Sequence, residues 1–327
     1  MSSISKAMKV SCADMAPSPD LAPLPHGGDL AAARKLFPGA PEPFLDLSTG
    51  INPNPYPAGT LPSGAFTELP QPDALARLAA IAAAAYGAPS PAHVVATPGS
   101  QIAAAQLAAS VAPGRALVLG PTYAEHARAA ALAGHDMAEA SDVERLGDAS
   151  LAIVVNPNNP DGRLVTGEAL LSIAERLHRR GGLLMVDEAF MEAAPQAASL
   201  AGSVAGEGIA VLRSFGKFYG LPGLRLSFAI AGRTLARRLA AALGPWPVSG
   251  AALAVGAEAL ADRGWQERTR ATLEAAARRL DIVLESAGMR VIGGTVLFRL
   301  ARTPQAQAMF QRLGEQGVLV RRFERER

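Results

Sequence analysis

The sequence predicts an α/β protein: a large domain over residues 48–240, with a mostly parallel sheet sandwiched by helices, and a small α+β domain over 241–327. Repetition is the first reason. From about residue 90 to 230, short apolar runs alternate with helical stretches. Strand–turn–helix repeats need crossover connections, and so parallel strands covered on both faces. Size is the second reason, because 327 residues, 49% of them hydrophobic, suffice for one large core and a smaller one. Third, the repetition stops near residue 240, and two long helices and short alternating strands follow.

In chain order, residues 1–25 are rich in Ser, Pro and Ala and read as a mobile leader. His26-Gly27-Gly28-Asp29 precedes a helix over Leu30–Leu36, and Phe44–Ser48 alternates as a short strand. The segment 26–47 is expected to pack with the small domain. Thr49 to Pro57 holds too many prolines for a regular element, and is either a stiff holder of polar groups or a plain connector. A helix runs from Asp73 to Tyr86, with Pro72 ahead and Gly87 behind. Val94–Thr97 is a strand, and Pro98-Gly99-Ser100-Gln101 opens a helix reaching Ser110. Ala116–Leu119 is a strand that turns at Gly120-Pro121-Thr122-Tyr123 into a helix over Ala124–Ala133. Leu151–Val155, Gly182–Val186, Gly208–Leu212 and Leu226–Ala231 complete the buried strands, and Thr166 or Gly167 opens a helix through Arg179. Beyond a helix from Arg233 to Ala242, Ala251–Ala261 and Trp265–Ala287 are helical. Met289–Ile292, Val296–Leu300 and Val318–Arg321 alternate like strands of one small sheet, with a helix over Pro304–Leu313 between the last two.

Composition excludes several functions. With 31 basic and 29 acidic residues the net charge is +2, which offers no footprint for nucleic acid or an anionic membrane. The single Cys12 rules out an intrachain disulfide framework, and five scattered histidines without HxxxH or CxxC spacing predict no metal site. Neither a signal-peptide core in the first 25 residues nor an 18-residue apolar run is present, so a cytoplasmic protein is expected.

Four places carry chemistry. Lys217 follows a buried run in a Gly-rich loop at a strand end, where open α/β sheets bind ligands. It is either a surface lysine or an amine poised to condense with a carbonyl cofactor. Asp187 follows another buried run, where a carboxylate is costly to desolvate unless a cation or strong donor meets it; the alternative is a solvent-facing or capping Asp. The strand–turn–helix at Thr97–Gln101 is a ready anion site, because unpaired N–H groups and the helix dipole converge there. Tyr123 at a similar turn either stacks on an aromatic cofactor or is an ordinary core-edge tyrosine.

Asn159-Pro160-Asp161-Gly162, Asp187-Glu188-Ala189-Phe190 and Ser214-Phe215-Gly216-Lys217 with Arg225 stand 28, 30 and 8 residues apart in turn. This set resembles the signature of fold-type I pyridoxal 5′-phosphate (PLP) enzymes, the aspartate aminotransferase superfamily. The resemblance runs from about His26 to the C-terminus. It implies that superfamily's fold, in which the large domain holds a mostly parallel seven-stranded sheet, and it implies PLP as the cofactor. By the same resemblance Lys217 tethers the cofactor and shuttles protons, Asp187 pairs with the pyridine nitrogen, Asn159 reaches the phenolic oxygen and Tyr123 stacks on the ring. Ser100, Gln101, Ser214 and Arg225 hold its phosphate. Phe190 departs from the pattern, since many relatives carry a tyrosine there.

His26-Gly27-Gly28-Asp29, Ser48-Thr49-Gly50-Ile51-Asn52-Pro53 and Lys217-Phe218-Tyr219-Gly220-Leu221-Pro222-Gly223-Leu224-Arg225 further resemble segments of the L-threonine-O-3-phosphate decarboxylases of cobalamin biosynthesis. Val318-Leu319-Val320-Arg321-Arg322-Phe323 resembles their late strand. That likeness implies decarboxylation of a small phosphorylated amino acid by a homodimer, with His26, Asn52 and Arg321 or Arg322 at the substrate. A dianionic phosphomonoester needs such cations and amide donors to offset its lost hydration. A later arginine-bearing strand of the family has no counterpart before Arg327, so either the chain is truncated there or another arginine substitutes. The alternatives are a histidinol-phosphate-type aminotransferase and a PLP-fold protein that binds without turnover.

Overall fold

Buried, mostly apolar strands assemble the centre of the computed structural model, which describes residues 26–194 and 198–323. The predicted leader lies outside the described residues. Helix α1 (Leu30–Leu36) and strand β1 (Leu45–Leu47) come first. Strands β2 (Val94–Thr97), β3 (Arg115–Leu119), β4 (Asp136–Ala140), β5 (Leu151–Val155), β6 (Leu183–Asp187), β7 (Ile209–Ser214) and β8 (Ser227–Ala231) then form one seven-stranded sheet. Its spatial order is β2-β8-β7-β6-β5-β3-β4. Only β8 runs against its neighbours, antiparallel to β2 and β7.

Every residue of β2, β5, β6, β7 and β8 is buried, as a sheet covered on both faces requires. Helices α2 (Pro72–Tyr86), α3 (Ser100–Ala109), α4 (Glu125–Leu132), α5 (Gly167–His178) and α6 (Arg233–Leu243) provide much of that cover. On one face Val154, Val186 and Val211 pack with Leu78 of α2 and with Leu170 and Ile173 of α5. On the other, Ile153, Met185 and Leu212 meet Leu107 of α3 and Leu239 of α6. Strand β4 has no counterpart among the strands read from the sequence. Its five residues, Asp-Met-Ala-Glu-Ala, are exposed but for the last. An edge strand with charged side chains shows no apolar run to detect.

The remaining elements are α7 (Gly250–Ala261), α8 (Arg263–Ser286), β9 (Arg290–Thr295), β10 (Phe298–Arg302), α9 (Ala306–Glu315) and β11 (Val318–Val320). The three late strands do not form one small sheet. Strands β9 and β10 close as an antiparallel hairpin, while β11 pairs in parallel with β1. The physical reason is connection length. Two residues separate β9 from β10, whereas α9 carries the chain away before β11, which meets the edge of β1. Ala33, Phe37 and Phe44 pack there against Phe310 and Leu319. Among the described residues, no helix is long and apolar enough to cross a membrane.

The β9–β10 hairpin sits directly on the loop after β5. Gly294 N–H donates to the Asp161 carbonyl at 2.9 Å. Opposite it, Gly162 has φ +72°, and a Cβ there would overlap the Gly294 carbonyl. Gly181, with φ +74°, has open space in the same direction. Gly181→Ala should therefore incur only the left-handed strain, a loss of stability of about 1–2 kcal/mol. Gly162→Ala adds a backbone collision, and its unfolding free energy in denaturant should fall measurably further than that of Gly181→Ala.

Candidate active site

Parallel strands turn their C-terminal ends the same way, so the loops beyond β5, β6 and β7 share one rim. A cavity opens at that rim. Ser100, Gln101, Tyr123, Asn159, Asp187, Ser214, Lys217 and Arg225 line it, together with Gly99, Ile51 and Phe190. His26, Asn52, Arg321 and Arg322 are not among its lining residues.

Asp187 ends β6 and is 5% exposed. Its Oδ1 accepts from Ala189 N–H at 2.9 Å, and its Oδ2 lies 2.7 Å from His126 Nε2. His126 is buried, with the Tyr123 ring edge-on to it at 5.7 Å. The sequence reading missed this histidine, although a signal existed. On α4 it stands three residues after Tyr123, a spacing that brings two side chains to one face of a helical turn.

Lys217 is one of four lysines in the chain. Its Nζ donates to the Thr49 carbonyl at 3.2 Å and lies 5.5 Å from the Phe190 ring centre. Burial pushes its amine below the ordinary lysine range; nearby Asp187 opposes that shift and Arg225 adds to it. A larger share of unprotonated amine at neutral pH is what a nucleophilic lysine requires. Phe190 stands edge-on to Phe298 of β10 at 4.9 Å.

An anion cradle occupies one end. Gly99 (φ +116°) precedes α3, whose first N–H groups lack intrahelical partners. Arg225 lies against Gly99, where an added Cβ would press on Nη2 at 2.5 Å. The arginine itself is left-handed (φ 53°), an unusual conformation for a non-glycine residue, and donates to the Pro222 carbonyl at 3.2 Å. Ser214 closes the cradle from the end of β7. Gln101 Nε2 donates to the Tyr123 hydroxyl at 2.8 Å. Burial, chiefly, pushes that phenol up to about 12, so it stays neutral at physiological pH.

The two loop asparagines divide their work. Asn158 is spent on structure, accepting from Thr122 Oγ1 at 2.6 Å and donating to Pro121 O and Asp161 Oδ1. Asn159 faces the cavity. Asn52 turns away from it: its Nδ2 donates to Phe218 O and its Oδ1 accepts from Asn54 N–H, both at 2.9 Å. Its side chain thus braces the lysine loop. His26 stands at the rim, with Nε2 2.9 Å from Glu125 Oε1 and its ring 6.1 Å from that of Tyr123. The two late arginines diverge. Arg322 lies over Phe310 and reaches Gln307 on α9, whereas Arg321 lies close enough to Tyr123 to oppose the rise of its phenol.

A half-buried lysine and a buried carboxylate beside an anion cradle, at the C-terminal edge of this sheet, define an enzyme that works with pyridoxal phosphate. The chain belongs to the class I and II aminotransferase family, whose profile matches residues 59–326. It is 43% identical over 304 residues to the threonine-phosphate decarboxylase of Pseudomonas aeruginosa, covering 92% of this chain and 90% of that one. To the threonine-phosphate decarboxylase of Sinorhizobium sp. it is 42% identical, with 93% and 91% covered. Its fold matches that of histidinol-phosphate aminotransferase from Sinorhizobium meliloti in complex with pyridoxal-5′-phosphate, with a TM-score of 0.70, 22% identity, and 79% and 76% of the chains covered. The residues present fit this cofactor. The Gly99–Arg225 approach leaves a guanidinium and free amides for a phosphate, an amine shifted below the ordinary lysine range suits an aldehyde, and a buried carboxylate suits a cationic ring nitrogen.

His126→Ala leaves one oxygen of the buried Asp187 without its side-chain donor. Unfolding in urea should show a loss of about 1–3 kcal/mol, the usual consequence of stranding a buried acceptor.

Proposed function

We propose that this chain decarboxylates L-threonine O-3-phosphate to (R)-1-amino-2-propanol O-2-phosphate and CO2, a step of cobalamin biosynthesis. The observation that carries the reading is its 43% and 42% identity, across nine-tenths of both chains, to two threonine-phosphate decarboxylases. The site chemistry is compatible. Bound pyridoxal phosphate supplies an electron-withdrawing ring that accepts the electron pair of the breaking Cα–carboxylate bond.

The chain's residues do the rest. Lys217, its amine held below the ordinary lysine range by burial, tethers the cofactor and, once protonated, returns that proton to Cα. Asp187, held by His126 and the Ala189 amide, is the anion that keeps the ring nitrogen protonated. Ser100, Gln101, Ser214 and Arg225 hold the cofactor phosphate, Asn159 meets the phenolic oxygen and Tyr123 covers the ring. His26 and Arg321, on the Tyr123 side of the site, take the substrate phosphate. Asn52 serves the site through the lysine loop that it braces, and Arg322 through α9. Residues 26–47 and 241–327 act as one small domain against the 48–240 domain. The working unit is a cytoplasmic homodimer, for which exposed Phe66, Leu69 and Trp246 supply apolar surface.

Incubated with L-threonine phosphate, the holoenzyme should release CO2; accumulation of pyridoxamine phosphate instead would overturn the reading in favour of transamination. Borohydride should fix the cofactor to wild-type protein and not to Lys217→Ala, and trapping that survives this substitution sinks the assignment. His26→Ala should raise KM for threonine phosphate about 10- to 100-fold, the worth of one charge-assisted hydrogen bond, and leave KM for threonine nearly unchanged. Equal changes for the two substrates would make His26 structural.

A further inference from the structure

Behind the cavity the same strands carry a second set of charges. Strand geometry sends successive side chains to opposite faces, so Glu188 points away from Asp187, and Arg213 away from Ser214. Arg213 Nη1 donates to Glu188 Oε2 at 2.8 Å, and its Nη2 lies 3.4 Å from Glu192 Oε1. All three residues are at most 4% exposed.

The two carboxyl groups are treated unequally. Glu188 also accepts from Ser199 Oγ at 2.6 Å and from Leu200 N–H at 2.7 Å. Neither carboxyl oxygen of Glu192 accepts a hydrogen bond among the described residues. The groups facing Glu192 are Glu188 from the end of β6, Arg213 from β7, Tyr86 from α2, Tyr219 from the lysine loop and Arg270 from α8. Arg270 spends its Nε on the backbone carbonyl of Glu192, and its guanidinium lies over Phe218. Tyr86 lies beneath the Arg213 guanidinium at 4.5 Å, and burial keeps both phenols neutral. Two ionised carboxylates would have to share the Arg213 guanidinium, with Glu192 no closer than 3.4 Å to it and Arg270 turned to a backbone carbonyl, which is costly for a buried charge.

We propose that Glu192 keeps its proton in the folded protein, so that Glu188, Arg213 and Glu192 form a neutral buried group. The Glu188–Arg213 pair then ties the strand that ends in Asp187 to the strand that leads to Ser214 and Lys217. Burial, only partly opposed by Arg213 and Arg270, pushes the Glu192 carboxyl above the usual range in agreement with this geometry. Ionising Glu192 sets two carboxylates in competition for Arg213 and loosens the strand ends beneath the site. The inference holds whichever substrate the site takes.

The sign follows from linkage. An unfolded glutamate titrates near 4.3, so between about that pH and the raised folded value the folded chain holds one proton more than the unfolded chain. The stabilisation is complete below the unfolded value and is lost as pH rises through the folded one. Across that window the unfolding equilibrium constant should rise about tenfold per pH unit from this group alone. The test is urea unfolding of the full chain over that pH range, comparing wild type, Glu192→Gln and Glu188→Gln. Glu192→Gln, a neutral isostere, should abolish this slope, and Glu188→Gln, which leaves Arg213 to Glu192 alone, should reduce it. Wild-type and Glu192→Gln curves that run parallel overturn the proposal. Should Glu192→Gln not fold, infrared spectra of the wild-type chain decide: a protonated-carboxyl stretch persisting at neutral pH supports the proposal, and its absence overturns it.

Discussion

The hydrogen bonds that hold the buried Asp187 carboxyl group are the constraint on which the surroundings of the site depend. A buried carboxylate is stable only with donors, and this one has the Ala189 amide on one oxygen and His126 on the other. The histidine comes from α4, the amide from the turn after β6. The pairing therefore locks a helix one strand removed in the sheet to the floor of the cavity, and Tyr123, in the turn just before α4, stands edge-on to that histidine.

Loops complete the site by hydrogen-bonding to one another rather than by packing alone. The Pro-rich segment after β1 reaches the lysine loop through Asn52 to Phe218 and through Lys217 to the Thr49 carbonyl. The loop after β5 is fixed to the turn after β3 by Asn158 and Thr122, and the β9–β10 hairpin is fixed to it by Gly294 and Asp161. Apart from the Lys217 side chain, these are contacts between backbones or short side chains. The hairpin also delivers Phe298 to Phe190, whose ring centre lies 5.5 Å from the Lys217 amine.

Charges on the reverse side of β6 and β7 matter because the strands are parallel neighbours. Glu188 and Arg213 stand directly behind Asp187 and Ser214, so a pair buried away from ligand bears on where the ligand-facing residues stand. Such a pair stabilises little by itself once desolvation is counted. Its effect is on alignment.

Much of this was legible along the chain. The buried strands are continuous apolar runs, and helix starts and stops carry Pro72, Gly87 and Thr166 as written signals. Lys217, Asp187, Asn159 and Arg225 stand out by spacing, and they share one cavity. Strand β4, the reversed direction of β8, the separation of β11 from the β9–β10 hairpin, and the partnership of His126 with Asp187 were settled only in three dimensions. The physical reason is that local pattern records which faces an element buries, because burial acts residue by residue. Which strand it lies beside, and which buried donor meets which buried acceptor, depend on segments far apart in the chain being brought within hydrogen-bonding reach.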